Sequence, residues 1–351
     1  ITIGYIGWGL RAYTPFDVIR DSFVFQYGWF AFFMFVFKDL QEQLWKYIIL
    51  IYTWFPWFAL LNFYFQNFSE FFETFILFGS VPFALYKYGD MGVNLLISSL
   101  VLMLYLNHRS MRFQVAMAVA ILLNLLIITA YSRSGMVAYL IGLGLFVWLT
   151  KQEAMRVLIK QYLRYLPIVL LIVLPLYTSI KVKENFQGRK VGMEQLVENV
   201  GSIFGVSKDA TLDKNKLWRL IWWANIIDYS VTPEYAIQGK GLGMSLAESD
   251  EVQTDIDDLR SPHNFNLTIL ARFGWPMFFL WAYWLVQLFK PMFRRRLSDK
   301  QLMISCILFT FWLNASFDVY LEGPMGAFPF WTWVGLFFLG EYFPDNKEVH
   351  A

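Results

Sequence analysis

The sequence predicts an all-α, polytopic membrane protein with about ten visible transmembrane helices and one large loop on the outer face. Three observations carry this reading. First, 57% of the 351 residues are hydrophobic and 20% are aromatic, with a mean hydropathy of +0.44. That is far from the charge-rich balance of a soluble domain. Second, apolar runs recur along almost the whole chain. Third, lysine and arginine gather between those runs rather than inside them. The net charge of +2 gives no indication of a nucleic-acid partner. The single cysteine, Cys306, excludes an internal disulfide.

In chain order, residues 1–22 carry Arg11 and Arg20 and read as a loop. The sequence opens on Ile1 rather than Met, so further spans are expected upstream. Apolar runs follow at about 23–37, 45–65, 70–88 and 91–106. The next two, about 112–131 and 136–150, flank Ser132-Arg133-Ser134-Gly135. A run at about 163–180 precedes a long, less apolar stretch to residue 261. The last three runs are about 275–290, 302–320 and 326–343. Three blocks result: transmembrane helices over 1–180, an outer loop with the candidate site over 181–274, and C-terminal helices with a tail over 275–351.

Basic clusters set the orientation. Arg109 and Arg112 form one, Lys151 to Arg164 a second, and Lys290 to Lys300 a third. If the runs alternate, all three share one side, and the positive-inside rule makes it cytoplasmic. Lys38 and Lys46 are exceptions. Arg133, the long loop and the Asp318–Glu322 turn then lie on the outer side, the periplasm of a Gram-negative cell.

The stretch R-S-P-H-N-F-N-L-T-I-L-A-R-F-G, Arg260 to Gly274, reads as a short helix with both ends specified. Ser261 can cap it, Pro262 suits its first position, and Gly274 can close it before Pro276. His263 would then sit in the first turn, where the helix dipole disfavours imidazolium and keeps a proton acceptor available. Arg260 and Arg272 flank it, which suits an anionic substrate. A solvated His on an interfacial helix fits the same residues.

Arg133, between Ser132 and Ser134 at a membrane edge, reads as an anion site or as a snorkelling anchor. In Lys216–Tyr229, Leu217, Leu220, Ile221, Ala224 and Ile227 share one helical face. Arg219 and Trp223, four apart, share another. A cation beside an indole suits a phosphate next to a sugar; an interfacial helix with headgroup-level tryptophans is the plainer reading. Gly239-Lys240-Gly241-Leu242-Gly243 fits neither nucleotide-binding glycine pattern. It reads as a tight turn, with or without backbone N–H groups near an anion.

Glu248, Asp250, Glu251, Asp255, Asp257 and Asp258 lack EF-hand spacing and read as solvated, with weak calcium binding as the lesser alternative. His108 is cytoplasmic in this topology and His350 lies in the tail, so the three histidines make no zinc site. Glu322 could orient His263, pair with an arginine, or belong to a polar turn.

Taken together, S-R-S-G at 132–135, the glycine turn at 239–243, His263-Asn264 with Leu267 and Gly274, and Leu321-Glu322-x-Pro324 with Trp331 resemble the O-antigen ligase and O-antigen polymerase superfamily. The resemblance runs from about Met111 to the C-terminus. It implies a type C-like glycosyltransferase of the bacterial inner membrane, with its active site facing the periplasm and no cofactor or metal. The implied donor is an undecaprenyl-pyrophosphate-linked glycan. The implied acceptor is another glycan or lipid A–core, with membrane lipids and a chain-length regulator protein as further partners. By analogy Arg133 and Arg219 hold the pyrophosphate and His263 is the base. Arg260 joins them by proximity, with Asn264, Glu322, Ser132 and Ser134 in support. The S-R-S-G form leans toward polymerase. The alternative is a flippase or transporter for a lipid-linked anion. Such a protein should carry charges through the depth of its spans, and these runs nearly lack them.

Overall fold

The computed structural model describes residues 2–68, 76–78, 81–82, 86–150, 153–180, 191–203, 210–252, 259–294 and 297–342. The chain divides into two compact units interleaved in sequence. One comprises Ile1–Lys38, Asp209–Leu297 and Phe311–Ala351; the other comprises Asp39–Lys208 and Ser298–Thr310.

The second unit is a helical bundle. It contains α1 (Gln41–Phe68), α2 (Tyr88–Tyr105), α3 (Met111–Tyr131), α4 (Arg133–Leu149), α5 (Glu153–Ser179) and α6 (Met193–Ile203). Helix α2 is buried along most of its length and packs against α1, α3 and α4. Close approach is possible because Gly92 lies against Gly135; a Cβ at Gly92 would meet the Gly135 carbonyl carbon at 2.7 Å. Asn124 and Tyr86 pair inside the bundle. The Asn124 amide donates to the Pro56 carbonyl at 2.9 Å, and Tyr86 donates to Asn124 at 2.9 Å. In an apolar medium such groups must find partners within the protein.

The first unit contains α7 (Thr2–Gly9), α8 (Pro15–Gln26), α9 (Trp29–Val36), α10 (Ala210–Ser230), α11 (Leu246–Ser249), α12 (Phe265–Arg294) and α13 (Pro324–Tyr342). Helices α9 and α13 pack closely where Gly335 meets Ala31 and Met34. Helix α10 packs on α12 through Trp222, Ile226, Leu270 and Ala271. A last helix, α14 (Asp299–Ala315), has Asp299–Thr310 in the second unit and Phe311–Ala315 in the first.

Among the described residues, five helices are long and apolar enough to cross a membrane: Lys38–Asn67, Tyr88–Tyr105, Met111–Tyr131, Tyr162–Ser179 and Phe265–Phe293. The expectation of about ten is therefore met in part. Arg133–Leu149 is apolar but shorter. The run at 23–37 is broken between α8 and α9 at Tyr27-Gly28. The run at 70–88 is corrected: its described part is an antiparallel hairpin, Ile76–Phe78 with Val81–Pro82. Pro82 opposes helix.

The long stretch after residue 180 is also more regular than a loop, since it holds α6, α10 and α11. Lys151, Arg295, Arg296, Asp255, Asp257 and Asp258 lie outside the described residues.

Candidate active site

Within the first unit, the chain from Arg260 to Thr268 meets α10 on one side and the Phe317–Glu322 turn on another. The helix start differs from the sequence expectation. Asn264, not Ser261, is the cap: its side-chain oxygen accepts from the Asn266 N–H at 3.1 Å and the Leu267 N–H at 3.3 Å. Its carbonyl accepts from the Thr268 N–H at 2.9 Å. Asn at this position satisfies two orphan donors, which outcompetes a serine three residues earlier. His263 consequently precedes the helix rather than sitting in its first turn, and the dipole argument loses its geometry.

His263 instead adopts a φ of +53°, a left-handed conformation uncommon for a non-glycine residue. Such strain persists where the surroundings over-determine it and concentrates at functional sites. Contacts to the preceding carbonyl and to its own ring hold it. Trp223 Nε1 donates to the Pro262 carbonyl at 2.7 Å. Arg219 Nη2 lies 3.3 Å from His263 Nδ1, while Arg219 Nη1 donates to the Phe317 carbonyl at 3.2 Å. A guanidinium has only donors, so Nδ1 is the acceptor and the ring proton of the neutral tautomer is assigned to Nε2. The Trp218 ring sits edge-on to the imidazole at 5.9 Å and under the Arg219 guanidinium at 5.3 Å.

The other arginines are held by carboxylates that sequence reasoning missed. Arg260 lies 3.6 Å from Asp17 and 3.7 Å from Asp21, and donates to the Gly243 carbonyl at 3.4 Å. Buried Arg272 pairs with Asp21 at 2.9 Å and donates to the Gly241 and Met244 carbonyls. Asp21 also accepts the Gly243 N–H at 2.9 Å. The glycine turn does bring a backbone N–H to an anion, but that anion is the protein's own Asp21. Gly239, Gly241 and Gly243 all have positive φ, which admits the turn. Lys240 in the same turn pairs with Asp250, which also accepts from Trp222 Nε1 at 2.6 Å. Burial, with Asp250 beside it, pushes the Tyr229 hydroxyl well up.

Glu322 accepts from Thr268 Oγ1 at 2.8 Å, bracing the first turn of α12. Burial pushes its carboxyl up, against the Thr268 and Ser261 hydroxyls and the Arg272 charge. Asn266, also missed, is a hub. Its side-chain oxygen accepts from Trp281 Nε1 at 3.0 Å and Trp312 Nε1 at 3.1 Å, and its amide donates to Ser316 at 3.0 Å. Among the described residues, no three His, Cys, Asp or Glu side chains gather as a metal site.

Arg133 belongs to the other unit, where it is the first residue of α4 and partly buried. Its neighbours are used locally. Ser132 caps α4 through the Gly135 N–H at 3.2 Å and exchanges a hydrogen bond with Ser134 at 3.2 Å. Gly135 serves the close packing on α2. The preceding turn of α3 is held by Asn199, whose amide donates to the Thr129 and Ala130 carbonyls at 2.7 Å.

Residues 117–282 match the model of a protein family described as O-antigen ligase. This match covers a little under half of the chain and supports the resemblance to the O-antigen ligase and polymerase superfamily. The matched segment contains Arg133, Arg219, Arg260 and His263; Asp21 and Glu322 fall outside it. No curated protein and no solved structure matches the chain. With five helices able to span a bilayer, the family match implies a multi-pass membrane glycosyltransferase of O-antigen ligase type.

Proposed function

We propose that this protein moves a glycan from an undecaprenyl-pyrophosphate carrier to an acceptor sugar on the periplasmic face of the bacterial inner membrane. The observation that carries the proposal is the Arg219–His263 pair at 3.3 Å, built on a strained backbone. It sets a permanent cation and an imidazole side by side, the pairing that transfer from a pyrophosphate requires.

Arg219 is proposed to receive the pyrophosphate. Five donors in a planar fork suit its oxygens, and charge neutralisation makes it a leaving group without a metal. Before the donor binds, one of those N–H groups occupies His263 Nδ1. A pyrophosphate competing for the guanidinium releases that lone pair, so donor binding exposes the base. The acceptor hydroxyl then gives its proton to Nδ1 as its oxygen bonds the anomeric carbon. The bond to the phosphate oxygen breaks, the anomeric centre inverts, and undecaprenyl pyrophosphate leaves. Arg133, assigned from the S-R-S-G motif alone, is a second proposed contact to the donor. Arg260 serves the site through Asp17 and Asp21, and Asn264 and Glu322 through the helix start.

The S-R-S-G form favours a lipid-linked repeat as acceptor, hence a polymerase. Purified protein incubated with lipid-linked oligosaccharide in EDTA, with and without lipid A–core, tests this. Longer glycans on the lipid identify a polymerase and transfer to core identifies a ligase. Movement of intact substrate across vesicles with neither product supports the flippase reading.

A further inference from the structure

Helix α10 is too polar to span a bilayer, with Asp213, Lys214, Lys216, Arg219, Asn225 and Asp228 in its 21 residues. Its buried face is the aromatic one. Trp222 and Ile226 are almost fully buried, Ser230 continues the same row, and Trp223 is half-buried. The aliphatic face is the reverse. Leu217 is 58% exposed, Leu220 46%, Ile221 52% and Ile227 46%, with Ala224 exposed between them. At 3.6 residues per turn these five positions form one stripe, and Arg219 lies roughly 140° round the helix from its midline. Asp228 is the one charge on that arc among the described side chains, and it stands in the last turn, where the stripe ends.

The position of the stripe says what covers it. Trp275 Nε1 donates to the Ser230 carbonyl at 3.0 Å, and the Trp275 N–H to the Ala236 carbonyl at 2.9 Å. The C-terminus of α10 therefore abuts the start of the apolar part of α12. That part exposes Phe279, Leu280, Tyr283 and Val286, each more than half accessible, as a lipid-facing surface must. Val231 and Ile237, 66% and 74% exposed, bridge the corner between them. Exposed apolar side chains thus occur on both the spanning helix and the helix that cannot span, and on the chain that joins them. The α10 part is purely aliphatic, which matches acyl chains.

We propose that α10 lies in the plane of the membrane with Leu217, Leu220, Ile221, Ala224 and Ile227 in the hydrocarbon of the bilayer that α12 crosses. An amphipathic helix buries its apolar face about 5–10 Å into the headgroup–acyl boundary. Arg219 and His263, on the opposite side of α10, then stand at the depth of lipid phosphates. The tryptophans are not the anchors, because they are packed inside the unit. This inference rests on α12 crossing the membrane and not on the transferase reading.

The test uses the full chain in phosphatidylcholine–phosphatidylglycerol vesicles. Buried Cys306, the single cysteine, is first replaced as Cys306→Ala. Nitroxide labels are then placed singly at Leu220→Cys, Ala224→Cys and, as an exposed control on the following turn, Glu234→Cys. Collision rates with oxygen and with a water-soluble nickel chelate are compared. At Leu220 and Ala224 the oxygen-to-nickel ratio should exceed that at Glu234 severalfold. A ratio equal to the control puts the stripe in water and overturns the proposal. Low access to both reagents with a label–label distance between molecules means a second copy covers it, and also overturns it. Low access to both without such a distance means that some other occupant covers the stripe, which overturns it as well. Leu217→Cys and Ile227→Cys replace any variant that does not fold.

Discussion

Asp21 holds the buried Arg272 of the first unit. It is 9% exposed, pairs with buried Arg272 at 2.9 Å, accepts the Gly243 N–H and neighbours Arg260. Removing one partner of a buried ion pair strands the other, at a cost of about 3–5 kcal/mol. Asp21→Ala should therefore lower the yield and melting temperature of the protein in detergent. Adding Arg272→Met should recover part of the loss, because the stranded charge disappears. Additive losses in thermal melts would show that the pair carries no such coupling.

Glu322 gives a pH dependence whose sign follows from its raised carboxyl. A folded value above the unfolded one means the native state binds more protons in that window, so stability falls as pH rises through it. The melting temperature of wild type relative to Glu322→Gln should thus be highest below the ordinary carboxylate range and decline on raising the pH above it. A difference that grows with pH would reverse the assignment.

At the scale of elements, the helix break at Gly274 and the turn at Gly239 hold each other. Gly274 has a φ of +71° and a Cβ there would meet the Ala236 carbonyl oxygen at 2.7 Å; Gly239 has a φ of +60° and lies against the Arg272–Phe273 backbone. Backbone cannot yield as a side chain does, so Gly274→Ala and Gly239→Ala should sharply reduce folded protein. Gly323→Ala, in open space with nothing within 4 Å, should change it little. Equal effects at all three, measured by size-exclusion yield, would refute the close-approach explanation.

Element positions are legible in sequence where apolar runs have clear ends: 91–106 and 112–131 emerge as Tyr88–Tyr105 and Met111–Tyr131, the latter capped by Ser110. The cap of α12 is not, because Ser261, Pro262 and Asn264 each satisfy a helix-start rule and only tertiary contacts through Trp223 and Arg219 choose among them. Gly274 has the positive φ that its place before Pro276 suggests, yet the chain resumes its helix beyond it. Periodicity finds the aliphatic stripe of α10 but not its exposure. A repeat of 3.6 fixes which residues share a face, not what solvent that face meets.

At the scale of the whole molecule, the first unit is assembled from the beginning, middle and end of the chain. Asp21 and Gly243 are 222 positions apart and meet at hydrogen-bond distance. No local pattern announces such a pairing, so the carboxylates behind Arg260 and Arg272 cannot be read from sequence. The chemistry-bearing motifs can, because His263-Asn264 and Arg219 with Trp223 are local. In the proposed mechanism His263, exposed by the donor's hold on Arg219, takes the acceptor proton. Glycan transfer per folded molecule by His263→Ala, with donor binding measured on the same preparation, tests this step most directly. General base catalysis contributes about 10²–10⁴-fold, so transfer should fall by that order while donor binding persists. Transfer above about a tenth of wild type, or donor binding lost in step with transfer, would contradict the mechanism.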